Sequence, residues 1–100
     1  MDYSYAYEKL SAARRILMLP HHQGETESIV KALKECSLGI QDMQDDNLDN
    51  DARGYATTLR KFIGVSSAEN FMNQEKSELS DAVDMLASWL ERKIFENGSN

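Results

Sequence analysis

Cysteine occurs once in this chain, at position 36, and proline once, at position 20. A lone cysteine excludes an intramolecular disulfide framework and fits a reducing compartment. The longest apolar run, Ile16 to Leu19, falls far short of the roughly 20 residues a bilayer-spanning helix needs. Met1-Asp2-Tyr3-Ser4 offers neither the basic nor the apolar segment of a secretory signal, so the expected address is the cytoplasm. No β-branched, alternating run competes with helical spacing, which argues against a sheet. Glycine-rich phosphate loops, a Glu-x-x-His pair and a Ser-His-Asp order are also missing. Those absences point to a protein that is not an enzyme and carries no cofactor.

Bases are the minority charge, 11 against 17 acids, for a net charge of −6. Five acids (Asp42, Asp45, Asp46, Asp49 and Asp51) stand between Gln41 and Ala52 with no base among them, and the remainder is close to neutral. This balance disfavours a phosphate-backbone partner and suits a basic protein surface or plain solubility. Arg53, Thr57, Arg60 and Lys61 make a short basic face too weak to reverse that expectation.

What the chain does have is amphipathic periodicity. Leu79, Ala82, Val83, Leu86, Trp89, Leu90 and Ile94 fall on one stripe of a helical wheel, and this long helix carries the only Trp. Upstream, the spacing predicts a helix over Tyr3 to Met18, ended by Pro20, which cannot continue it. Its main stripe is Tyr3, Ala6, Tyr7, Leu10, Ala13 and Leu17, with Arg14 inside the stripe and expected to snorkel or pair with another helix. A second helix runs from Glu25 to Met43, with a seam of Ile29, Leu33, Cys36, Ile40 and Met43. Gly39 within it suggests a close helix contact. A third, Asp51 to Ile63, buries Ala52, Tyr55, Ala56, Leu59, Phe62 and Ile63, with Asp49 or Asn50 as its cap and Gly64 as a left-handed terminator.

Ser66-Ser67-Ala68-Glu69 matches a capping box. It predicts an extra short helix near 66–73, a break or bend near Asn73 to Ser77, and then the long helix, with one unbroken helix from Ser67 to Glu96 as the alternative and 97–100 a frayed tail. An all-α fold follows: an antiparallel up-and-down bundle of four main helices in a single domain, residues 1–100.

Four features could carry function. Tyr5, Ala12, Ile16 and Leu19 form a second apolar line on the first helix, nearly opposite its main stripe. It is either covered by Phe71 and Met72 of the same chain or is a contact face for another protein or a second copy. Asp45, Asp46 and Asp49 of the acidic turn could steer such a partner. The turn departs from a calcium loop, since counting from Asp45 puts Asn50 where glycine belongs and Ala56 where the bidentate Glu belongs. His21-His22 with Glu25 is the one cluster resembling a metal site, but adjacent histidines cannot share a helical face and no further ligand is nominated. Cys36, on a helical seam, reads as a small buried hydrophobe.

The expected function is therefore a small protein–protein interaction module, homodimeric or binding another protein through the first helix and the acidic turn. Two alternatives stand beside it. One is a metal- or small-ligand-binding helical protein centred on His21, His22 or the acidic turn; the other is an acidic inhibitor or immunity-type protein that masks a basic toxin or nuclease. A membrane surface is disfavoured because the first helix supplies only part of the Lys/Arg-rich polar face such helices use.

Overall fold

The computed structural model describes residues 3–18, 24–41, 43, 48–64 and 71–98. Among these residues it has four helices and is all-helical: α1 (Tyr3–Met18), α2 (Glu25–Ile40), α3 (Asn50–Ile63) and α4 (Asn73–Gly98). Among the described residues no strand occurs, and no helix is long and apolar enough to cross a membrane.

The stripes meet in one continuous core. Ala6, Leu10 and Ala13 of α1, Ile29, Ala32, Cys36 and Ile40 of α2, Ala52, Ala56, Leu59 and Phe62 of α3, and Leu79 to Leu90 of α4 supply it. Leu10, Leu59, Leu79, Leu86 and Leu90 are fully buried, each worth about 1.5–3 kcal/mol of transfer free energy. Among the described residues the core holds no buried polar or charged residue.

Helix α1 packs on α2 and α4, and α3 packs on α4 and α2. Gly39 of α2 lies against α1 so closely that an added Cβ would run into the Leu10 Cδ2 methyl and come within 3.0 Å of Lys9 Cβ. Further pairings are Lys9 with Glu35 at 3.6 Å, Arg14 with Asp84 at 3.4 Å and Lys61 with Glu78 at 3.8 Å. Arg14 thus resolves its place in the α1 stripe by reaching a carboxylate on α4. Glu25 pairs with Lys76.

Several helix ends differ from expectation. Helix α2 stops at Ile40 rather than Met43, because the Met43 N–H folds back to donate to the Ile40 carbonyl at 3.1 Å. Met43 nevertheless stays buried. Gly64 is right-handed (φ −75°, ψ −9°), its N–H donating to the Arg60 carbonyl, so it ends α3 without a left-handed turn.

The break expected within Asn73 to Ser77 is absent, and α4 runs continuously from Asn73. Its start is set by Met72, whose carbonyl accepts from Lys76 N–H at 3.0 Å and whose N–H donates to Glu75 Oε1 at 3.2 Å. This is half of a capping box, the half a third-position Glu provides without a Ser partner. Phe71 and Met72 lie outside any helix, which corrects the expected short helix at its C-terminal end; positions 66–70 lie outside the described residues. Helix also persists through Gly98, into the segment expected to fray.

At 26 residues α4 is about 39 Å long, against about 21–24 Å for its neighbours. It accounts for most of the 43 Å long axis.

Candidate interaction surface

The expected site residues fall into two places. Tyr5, Ala12 and Ile16 share the side of α1 turned from its core stripe. Tyr5 is 39% exposed, with the Lys9 ammonium 5.7 Å from its ring centroid. Ala12 is half-buried, and Ile16 is half-buried and packed against the core. The line is thus neither swallowed by the bundle nor fully open.

Its expected intramolecular cover is at most partial, since Ile16 packs against the core cluster that includes Phe71. Phe71 packs on Phe62, ring centroids 5.2 Å apart, and Met72 is 72% exposed. Leu19, Asp45, Asp46, His21 and His22 lie outside the described residues.

Asp49 sits apart from α1's outer line and is occupied by the fold itself. Its Oδ1 accepts from Ala52 N–H at 2.9 Å, capping α3. Its Oδ2 accepts from the Trp89 indole N–H at 2.9 Å. These bonds, the backbone one foremost, hold the Asp49 carboxyl below the usual carboxylate range, and Lys93 adds to the effect. Trp89 is buried, meets Tyr3 edge-on at 5.9 Å and lies under the Lys93 ammonium at 5.4 Å. The carboxylate that sequence assigned both to steering and, with Asn50 as the alternative, to the cap of α3 does cap it, and it also joins α3 to α4. Nothing in the spacing of Asp49 and Trp89 could have announced that link.

Sequence reasoning also passed over Phe95, the most exposed large apolar side chain among the described residues at 77%. It stands beside Ser88, Glu91, Arg92 and Glu96 around a shallow depression on the outer side of α4. Its place on the wheel, nearly opposite Leu86, was the available signal. Met18, Val30 and Met85 are exposed on other faces.

Chemistry of other kinds finds little footing. Among the described residues no three His, Cys, Asp or Glu side chains gather where they could hold a metal. Cys36 is fully buried, and desolvation, with Glu35 adjacent, pushes its thiol up to about 12. A thiol so placed is no thiolate nucleophile at neutral pH. No protein-family model, curated protein or solved structure matches the chain.

Proposed function

We propose that this chain is a non-enzymatic protein–protein interaction module of the cytoplasm, an antiparallel up-and-down bundle that presents the outer line of α1 to its partner. The antiparallel order is supported by register. Lys9 meets Glu35 while Leu17 shares a cleft with Glu25 and Ile29, and Tyr3 meets Trp89 while Leu17 lies near Leu79. Descending one helix means ascending the next.

The observation that carries the functional reading is the line of Tyr5, Ala12 and Ile16, none of them buried and all flanked by charges. Apolar and aromatic anchors at helical spacing inside a charged rim are what helix-mediated interfaces use. Asp45 and Asp46 add a long-range pull on a basic partner surface, while Asp49 joins the start of α3 to α4.

Substituting Tyr5→Glu and Ala12→Glu tests the reading, since neither residue is buried. The variants are expected to keep the wild-type helical circular dichroism and to lose association in sedimentation and co-purification. Folded variants with unchanged oligomeric state and unchanged partners would overturn it.

A further inference from the structure

The outer side of α1 carries two charges as well as its apolar line. Glu8 and Arg15 are both exposed, and among the described residues neither has an ion-pair or hydrogen-bond partner. Their neighbours Lys9 and Arg14 are both engaged, with Glu35 and Asp84. Seven residues separate Glu8 from Arg15, so they stand about 10.5 Å apart along the axis and only about 20° apart around it. Around the helix, Ala12 falls between this charged line and the side that holds Tyr5 and Ile16.

That arrangement is self-complementary under one operation. A two-fold axis perpendicular to α1, passing between Ser11 and Ala12, exchanges the heights of residues 8 and 15 and keeps each residue on its own side. Glu8 then meets the partner's Arg15, and the pair forms twice. Ala12 meets its own copy at the axis, where a methyl group lets two helices approach closely. Tyr5 comes level with the partner's Met18, within one turn of the partner's Ile16 on the same side. A parallel pairing sets Glu8 level with its own copy and brings no opposite charges together.

We propose that this face binds a second copy of the chain, the two α1 helices antiparallel about Ala12, with Glu8 of each copy paired to the partner's Arg15. The inference rests on the reading of α1 given above and adds the partner and the register. A single pair of helices about 24 Å long lies at the small end of specific interfaces, so the dimer is concentration-dependent.

Sedimentation equilibrium over a concentration series tests it. The wild type is expected to dimerise. Glu8→Arg alone and Arg15→Glu alone each place like charges together and weaken dimerisation about tenfold. The double variant Glu8→Arg/Arg15→Glu restores it. All these positions are exposed, and circular dichroism checks that each variant folds.

An Ala12→Cys variant gives a second readout, an interchain disulfide on mild oxidation. The native thiol does not compete, because Cys36 is buried. A wild type that stays monomeric throughout the series overturns the dimer while leaving α1 open to a different protein. A dimer indifferent to the charge swaps but lost in Ala12→Glu overturns the register and keeps the face. A dimer that survives both Tyr5→Glu and Ala12→Glu overturns both readings.

Discussion

The Trp89 indole N–H and the Asp49 carboxylate, 40 positions apart, meet at 2.9 Å, and the second oxygen of that carboxylate caps α3 through Ala52. A buried indole needs an acceptor for its N–H, and a helix start needs one for its first amides. One side chain satisfies both. The end of the bundle where α3 begins is thereby tied to the last turns of α4, and Tyr3 of α1 packs edge-on against the same indole.

This arrangement has a pH signature. Asp49 is held below the ordinary range chiefly by the Ala52 N–H and then by Trp89. Its folded pKa lies below its unfolded value of about 3.9, so the stability it contributes is complete above that value. It is lost as pH falls through the folded pKa. The wild type should melt above Asp49→Asn at neutral pH, and the two should converge in acid. The Trp89 emission should shift in the wild type over the same interval. Parallel melting profiles at every pH would show that the carboxylate charge is not coupled to folding.

Two glycines should respond in opposite directions to the same change. Gly39→Ala gains up to about 1 kcal/mol of helix propensity. It must also push Leu10 aside and crowd Lys9 Cβ at 3.0 Å and the Ala6 carbonyl at 3.4 Å. Overpacking of this kind costs about 1–3 kcal/mol, so a net loss in urea denaturation is expected. At Gly64 the backbone is already right-handed, and an added Cβ meets only carbonyl oxygens at 3.6 Å. Gly64→Ala should be neutral or stabilising by about 0.4–1 kcal/mol. The reverse order of the two variants would contradict the packing described.

The contrast between those glycines shows how much was legible beforehand. Leu79, Val83, Leu86 and Leu90 announced their burial by spacing, because a 3.6-residue repeat maps directly onto a buried face. Gly39 announced a close approach, since a costly residue in a helix interior needs a reason. Ends were read less well. Gly64 permits a left-handed turn without requiring one, and the polar run Asn73 to Ser77 resembles a break only until Glu75 is seen bonding back to Met72. The site was legible in part. The apolar line on α1 is a one-dimensional pattern, whereas the absence of a partner for Glu8 and Arg15 among the described residues shows only in the fold. The engagement of Asp49 with Trp89 exists only once α3 and α4 are brought together.

Cys36 offers a probe of global opening. Burial drives its thiol up to about 12, so the native protein should fail to react with an aromatic disulfide reagent at pH 8 and should react at once in denaturant. Because the folded pKa is raised, the contribution is complete below the unfolded value of about 8.5 and is lost as pH rises through the folded value. Fast labelling of the native protein would place the thiol at an accessible site. Cys36→Ser, which buries a hydroxyl among apolar groups, should cost about 1–3 kcal/mol in urea denaturation.

Phe71 is buried yet lies outside any helix, immediately before α4, with its ring tilted 52° against Phe62 at a centroid distance of 5.2 Å. Chain order alone does not explain why a large side chain should be held there. Packing does: the contact fixes where α4 leaves α3, just ahead of the Met72–Glu75 bond that starts the helix. Phe62→Ala should cost about 3–5 kcal/mol, as for other fully buried aromatics. Phe71→Ala should cost less, since its site can collapse at a helix start. Measured together, the two losses should fall short of their sum by about 0.5–1.5 kcal/mol, the part belonging to the ring pair. Strict additivity would mean that Phe71 is buried beside Phe62 without being held by it, and the start of α4 would then depend on Glu75 alone.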